Sequence, residues 1–216
     1  MLTIQDFFST CTGQWTTERT YHSTLRSEVE RSFTEFRVDP LLLPEKEAVL
    51  SSQPTATRQA LSLNAATLAD DMVNCPGFAI AFDTRSETGE QVSMRLKALF
   101  VPDRYLKSTQ TIELPSPPLA AQVSADPMGE IIQGFYLRDE GYSEAGSVVG
   151  RFTYQPSRQT LEMTTYYRRS VAVDQMRLVS PDLRLRTIVT YQRPEGNGPP
   201  TVIDLVGFGV ERKQLA

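Results

Sequence analysis

Two arginine side chains share one face of a predicted strand in the last third of the chain. Apolar and polar residues alternate through Leu183–Val189, which is typical of a strand, and the alternation places Arg184 and Arg186 on the same face. Side chains two positions apart in a strand are separated by about 6.6 to 7 Å. Because a planar guanidinium group suits bidentate binding of carboxylates and phosphates, this pair is suited to a ligand with two carboxylates. The alternative is that both arginines lie on a solvated outer face.

An acidic residue lies on the preceding predicted strand. Asp174 shares a strand face with Met176 and Leu178, so its carboxylate belongs to an otherwise apolar surface. A carboxylate in such surroundings is either paired with a cation or functional. Asp174 is therefore a candidate for the same site, and a surface ion pair between Asp174 and an arginine is the alternative.

The scarcity of cysteine and histidine argues against several chemistries. The chain has two cysteines and one histidine, Cys11, Cys75 and His22, whereas a zinc site built from such residues normally needs four ligands. No metal centre is therefore expected. A hydrolase with a histidine base would depend on His22 alone. Two reduced cysteines are expected rather than a disulfide.

Positive charge is concentrated near the C-terminus. The net charge of the whole chain is −4, yet residues 151–216 carry ten Lys and Arg against six Asp and Glu. An acidic protein is not expected to bind nucleic acid non-specifically. The chain has no run of about 18 apolar residues, and its first residues lack a basic segment, so neither a membrane span nor a secretory signal is expected.

The candidate residues require strands to position them. The 216 residues, 40% hydrophobic and 22% charged, have the composition of one globular domain over 1–216. Segments of period-two alternation, separated by closely spaced turn signals, favour antiparallel hairpins. The expected fold class is all-β, an antiparallel up-and-down barrel of about ten strands with room for a small ligand. A β-sandwich is the alternative.

Helices are predicted in two places only. A short N-terminal helix is expected within the first thirteen residues, because Ile4, Phe7, Phe8 and Cys11 recur at helical spacing. One or two further short helices are expected within 44–73, the least strand-like part of the chain.

One strand near the N-terminus has an ambiguous pattern. Val29 and Phe33 alternate with polar residues, but Phe36 and Val38 follow on the opposite register. This change predicts a bulge or twist near Glu35.

Several motifs resemble those of a known family. Behind the Phe7-Phe8 pair, Gly13-Gln14-Trp15, Arg19-Thr20 and Tyr21-His22 resemble the opening of the S-type phycobiliprotein chromophore lyases. Later segments follow the order and spacing of that family: Leu137–Glu144, Gly150–Phe152, Leu161–Tyr167 and Ser180–Thr187. The resemblance covers most of the chain and is weakest over 40–76 and 100–130.

The resemblance implies a lipocalin-like barrel that binds a linear tetrapyrrole and passes it to a cysteine of an apo-phycobiliprotein α or β subunit. The substrate would be phycocyanobilin or phycoerythrobilin, with no permanently bound cofactor. Arg184 and Arg186 would hold the two propionates of the bilin. Asp174 and Glu211 would be the catalytic carboxyl groups, because an acidic side chain near the pyrrole nitrogens favours the protonated bilin and makes its ring A ethylidene a better electrophile. Neither cysteine of this chain would need to form an adduct.

The resemblance also extends the set of candidate ligand contacts. These further candidates are Trp15, His22, Phe82, Met163 and Tyr167. For each of them, packing inside the barrel or a structural hydrogen bond is the alternative. Arg138 and Arg151 are interpreted as scaffold or loop-anchoring residues.

The chain departs from the family pattern at several positions. Phe82 stands where the family usually has Trp, Asp174 where it has Glu, and Ile188 where it has Ser. Some lyases of this type act as two-subunit enzymes. A non-catalytic bilin carrier, or a helper subunit in a homodimer or a heterodimer with a paralogue, is therefore the alternative function. The expected location is the cytoplasm of a cyanobacterium or the plastid stroma.

Overall fold

The computed structural model describes residues 1–61, 72, 74–106, 114–121, 130–142, 144–196 and 198–214. Over these residues, ten antiparallel strands form a closed barrel in which each strand pairs with the next and the last pairs with the first. The strands are β1 (Gly13–Ser23), β2 (Glu28–Pro40), β3 (Gly77–Ser86), β4 (Gln91–Pro102), β5 (Ile132–Arg138), β6 (Val148–Gln155), β7 (Thr160–Tyr166), β8 (Ser170–Ser180), β9 (Leu183–Gln192) and β10 (Ile203–Lys213). The predicted up-and-down barrel is confirmed.

The N-terminal helix closes one end of the barrel. Helix α1 (Ile4–Cys11) begins at Thr3, whose hydroxyl accepts a hydrogen bond from the Asp6 amide at 3.1 Å. Its apolar side chains are buried against aromatic residues of the barrel, with Phe8 4.7 Å from Phe100 between ring centroids. The helical spacing of these apolar residues therefore supplies the plug that the barrel needs at this end.

Two further helices lie outside the barrel wall. Helices α2 (Leu43–Ser51) and α3 (Thr55–Ala60) follow β2, and Val49 packs with Leu99 and Leu137 on the outer face of β4 and β5. The helix predicted from Pro44 onward is thus present. The second helix, predicted over 60–72, falls almost entirely outside the described residues. Two short 3₁₀ turns lie at Asp103–Tyr105 and Leu119–Ala121.

Strand β2 has no bulge, so the bulge predicted near Glu35 is wrong. Its pairing with β1 and β3 has no shift of register. Val29 and Phe33 are exposed on the outer face, whereas Thr34 and Phe36 are buried inside the barrel. Thr34 can lie inside because its hydroxyl bonds that of Thr84 at 2.8 Å. Apolar residues therefore do not mark the inner face along the whole of this strand.

None of the helices in the described ranges is both long enough and apolar enough to cross a membrane.

Candidate functional site

A cavity of about 420 Å³ occupies the end of the barrel away from α1. The inner face of β1 runs from the packed core into this cavity. Trp15 lies in the core beside α1, whereas Arg19 and Tyr21, further along the same face, line the cavity. The remaining walls come from β3, β4, β5, β7, β8 and β9 and from Tyr142 in the loop after β5. This volume lies in the range of cavities that hold small organic ligands.

Five of the nine residues predicted for the site line this cavity. They are Phe82, Met163, Tyr167, Asp174 and Arg186. They come from β3, from β7 and the residue directly after it, and from β8 and β9, so the strands are needed to bring them together. Ile188, another position at which the chain departs from the family pattern, lines the cavity as well.

Asp174 and Arg186 form a bidentate ion pair at the cavity wall. The Nε of Arg186 donates to Oδ1 of Asp174 at 2.9 Å, and a terminal nitrogen of the same guanidinium donates to Oδ2. The two residues are diagonal neighbours on the inner face, because Asp174 of β8 lies opposite Ile188 of β9 and Met176 lies opposite Arg186. The sequence left two alternatives for Asp174, a place in the site or an ion pair with an arginine on the surface. The ion pair exists, but it lies in the cavity wall and not on the surface.

Glu211 lies in a layer with Arg184 directly below the cavity, and it also reaches Arg19 and Arg186 in the cavity wall. Its Oε2 accepts from Nε of Arg184 at 2.5 Å, and its Oε1 lies 3.2 Å from a terminal nitrogen of Arg19 and 3.7 Å from one of Arg186. Burial alone would raise the pKa of Glu211, but the three guanidinium groups lower it to about 2. Glu211 is therefore ionised at neutral pH and serves as the common anion of these three arginines.

Three of the predicted ligand contacts and one predicted catalytic residue do not line the cavity. Arg184 and Glu211 lie below it in the layer just described. Trp15 lies below them, with its ring centroid 4.7 Å from the Arg184 guanidinium carbon and its indole N–H donating to the Cys11 carbonyl. The prediction that Arg184 and Trp15 touch the ligand directly is corrected, because both lie too deep in the barrel. Glu211 is likewise a partner of arginines and does not line the cavity.

His22 lies on the outside of the barrel. Its ring stacks on that of Phe208 at 5.9 Å between centroids, and Phe208 is 53% exposed. The cause is the two-residue period of β1, which turns Tyr21 into the cavity and His22 away from it. The prediction of His22 as a ligand contact is corrected accordingly.

The sequence interpretation missed several cavity residues. Arg19 and Tyr21 were quoted only as family motifs, although both line the cavity. Two glycines on the facing strand make room for them: a Cβ at Gly207 would lie 2.6 Å from the Tyr21 ring, and one at Gly209 would lie 3.0 Å from Cγ of Arg19. Glycines two positions apart in a strand are a signal that was available in the sequence.

Arg138, interpreted from the sequence as a scaffold or loop-anchoring residue, also lines the cavity. It is buried at the end of β5 and donates to the Tyr167 hydroxyl at 2.6 Å. Arg151 does have a scaffold role, because both of its terminal nitrogens bond the Asp103 carboxylate outside the cavity at 2.8 and 2.6 Å.

The charges of the cavity and the layer below it do not cancel among the described residues. Four arginines belong to this region, and two carboxylates oppose them: Arg19, Arg138, Arg184 and Arg186 against Asp174 and Glu211. The excess of two positive charges favours a ligand with two negative ones.

The fold is a closed ten-stranded antiparallel barrel with a helical plug at one end and a cationic cavity at the other, an architecture with room for a small ligand. Comparison with known proteins gives the family: the model of the CpeS-like protein family matches residues 3–110 and 121–213, and the chain belongs to this family. The resemblance found in the sequence is thereby confirmed.

Two relatives are particularly informative. "Chromophore lyase CpcS/CpeS 1" of Synechococcus sp. (strain JA-3-3Ab) is 40% identical over 207 residues, which cover 96% of this chain and 94% of the relative. The solved structure of the S-type phycobiliprotein lyase CPES from Guillardia theta matches with a TM-score of 0.60 at 14% identity, covering 100% of this chain and 94% of that one. At this identity the second match establishes the shared fold.

Proposed function

We propose that this chain binds a linear tetrapyrrole in the cavity and promotes its thioether attachment to a cysteine of an apo-phycobiliprotein subunit. Family membership and the name of the Synechococcus relative support this proposal. The observation that carries it is the excess of two positive charges in and below the cavity. A bilin with two ionised propionates supplies the matching negative charge. The reaction would take place where phycobiliproteins are made, in a cyanobacterial cytoplasm or a plastid stroma.

Arg186 and Asp174 are the residues that we assign to the ligand. One edge of the Arg186 guanidinium is bound by Asp174, while its other terminal nitrogen, 3.7 Å from Glu211, retains donor capacity for a propionate. Asp174 has acceptor capacity left for pyrrole N–H groups, because an ionised carboxylate has about four lone-pair sites. Its negative charge would favour a protonated tetrapyrrole next to it.

The chemistry of attachment needs little beyond this arrangement. The acceptor cysteine thiol adds across the exocyclic double bond of ring A. Its thiolate sulfur bonds to the ethylidene carbon, so that a C–S bond replaces the C–C π bond, and one proton, matching the one that the thiol has lost, is added to the adjacent ring carbon. No group leaves, and no oxidant or reductant is consumed. The protein's contribution is therefore orientation and electrostatic stabilisation of the protonated bilin. Glu211, ionised with a pKa of about 2, positions the arginines and is not the proton donor.

The test is a reconstituted attachment reaction. The chain is incubated with phycocyanobilin or phycoerythrobilin and a panel of apo-α and apo-β subunits, and covalent product is detected by zinc-enhanced fluorescence on denaturing gels. Acceptors with Ser in place of the target Cys and reactions without the chain are the controls. Enhanced attachment that depends on the acceptor cysteine is the expected result. No enhancement for any bilin and subunit would contradict lyase activity of the chain alone.

Asp174→Asn and Asp103→Asn form a matched pair of variants for this reaction. Both aspartates form bidentate pairs with an arginine, Asp174 in the cavity and Asp103 outside it. We expect Asp174→Asn to slow attachment at least tenfold, and Asp103→Asn to leave the rate within twofold of the wild type, because only the first removes charge next to the ligand.

A second candidate function is a bilin carrier or a helper subunit of a two-subunit lyase. The observation that favours it is that Phe82, Asp174 and Ile188, three positions at which the chain departs from the family pattern, all line the cavity. A chain that binds bilin but attaches it only when a paralogous lyase subunit is added would support the helper role. Attachment by this chain alone would exclude it.

A further inference from the structure

Among the described residues, Arg138 differs from the other arginines in and below the cavity in having no carboxylate partner. Arg19, Arg184 and Arg186 each form an ion pair with Glu211 or Asp174. No carboxylate of the described residues pairs with Arg138, and its Nε has no hydrogen-bond partner among them. The residue is 2% exposed, so bulk solvent has little access to its guanidinium group.

Three tyrosines surround the Arg138 guanidinium instead. The rings of Tyr142, Tyr167 and Tyr136 lie with their centroids 4.4, 5.6 and 5.8 Å from its central carbon. Cation–π contacts of this kind stabilise a buried cation without neutralising it. A guanidinium group carries five N–H donors, and the hydrogen bond to the Tyr167 hydroxyl uses one of its terminal nitrogens. The remaining donors of Arg138 are therefore still able to bind an anion.

The geometry points to Arg138 as the residue that binds a carboxylate of the ligand in the cavity, on the opposite side from the Asp174–Arg186 pair. This inference rests on the proposed function for the identity of the ligand as a linear tetrapyrrole. It assigns the two propionates to different walls: one to Arg186 on β9 and the other to Arg138 at the end of β5. The ion-paired Arg184 is thereby replaced as the partner of the second propionate.

The partly exposed ring of Tyr142 lies between Arg138 and the solvent. Its ring contacts both the Arg138 guanidinium and, at 5.9 Å between centroids, the ring of Phe82 across the cavity. Tyr142 is half exposed, so the same ring covers Arg138 on the solvent side. A carboxylate that reaches Arg138 would therefore be shielded from water by Tyr142, which strengthens its hydrogen bonds to the guanidinium.

The experiment compares phycocyanobilin with its dimethyl ester, in which neither propionate is charged. Dissociation constants are measured by absorption titration for the wild type, Arg138→Gln and the control Arg151→Gln. Arg151 is a suitable control because its guanidinium, like that of Arg138, lies over an aromatic ring, that of Phe135, whereas it is ion-paired with Asp103 outside the cavity. We expect Arg138→Gln to lose at least tenfold in affinity for the free acid and less than threefold for the ester, with Arg151→Gln unchanged.

Equal affinity of the wild type and Arg138→Gln for the free acid would overturn the inference. If Arg138→Gln does not fold, Arg138→Lys, which keeps the charge and loses the planar donors, replaces it, and an unreduced affinity of that variant overturns the inference equally. If the wild type binds neither form of the pigment, the proposed function fails. In that case, the affinities for palmitate and for its methyl ester are compared instead. If the wild type prefers the acid and the Arg138 variants lose that preference, the inference is supported. If the wild type shows no preference for the acid, the inference is overturned.

Discussion

Methionine in place of Arg184 or Arg186 separates a structural arginine from a ligand-binding one. The Arg184 side chain is 3% exposed and lies 2.5 Å from Glu211 and 4.7 Å from the Trp15 ring. Removing one partner of a buried ion pair costs about 3 to 5 kcal/mol. Because Glu211 keeps two other arginines in Arg184→Met, we expect a loss of about 3 kcal/mol, the lower end of this range. For a chain of this size that lowers Tm by about 6 to 12 °C.

The two variants should differ in ligand affinity. Arg186→Met removes a charged donor from the cavity wall and should weaken bilin binding by about 1.5 to 3 kcal/mol, or ten- to 150-fold. Arg184→Met should change the affinity by less than about threefold, because its side chain does not reach the cavity.

Two assays measure these effects. Unfolding in urea can be followed by the fluorescence of Trp15, the one tryptophan in the sequence, and affinity by the change in bilin absorption. A tenfold loss of affinity in Arg184→Met with unchanged stability would refute this assignment, because it would place Arg184 in contact with the ligand.

Three other variants test separate parts of the structure. Burial raises the pKa of Glu162 from 4.5 to about 6, so the folded state binds this proton more tightly and stability falls as pH rises between those values. Glu162→Gln should therefore add about 2 kcal/mol to the unfolding free energy at pH 7.5 and almost nothing at pH 4, and an equal effect at both in urea titrations would contradict this. Cys11 and Cys75 are buried, and burial raises the pKa of the Cys11 thiol; the double Ser variant should keep bilin transfer, and loss of transfer in a folded protein would indicate an enzyme-linked intermediate. Gly207→Ala would place a Cβ 2.6 Å from the Tyr21 ring; it should push that ring into the cavity and weaken bilin binding, and unchanged affinity by absorption titration would contradict this.

Strand periodicity accounts for the correct part of the site prediction. The alternation through β9 places Arg184 and Arg186 on one face, and that of β8 places Asp174 on one face with Met176. A single sequence contains this shared facing, whereas the choice of the inner face came from the family resemblance.

Depth along the barrel axis was not predictable in the same way. Arg184 and Arg186 share a face, yet only Arg186 reaches the cavity, because α1 and Trp15 fill the barrel below it. Depth depends on the stagger between neighbouring strands and on where the plug ends. Neither quantity can be read from the pattern of one strand.

His22 and Arg138 illustrate two different failures. His22 was assigned from a family motif, although the period of β1 that places Tyr21 inside already requires His22 to lie outside. Arg138 was interpreted as a scaffold or loop-anchoring residue of the family. Its cavity role depends on Tyr142 and Tyr167, which only the closed barrel brings to it.

A crystal structure of the chain with bound phycocyanobilin tests the central claim most directly. The account predicts the tetrapyrrole inside the barrel between Phe82 and Met163, with one propionate at Arg186 and pyrrole nitrogens facing Asp174. A bilin bound instead on the outer surface, for example against the exposed rings of Phe33 and Phe208, with the cavity unoccupied, would contradict it.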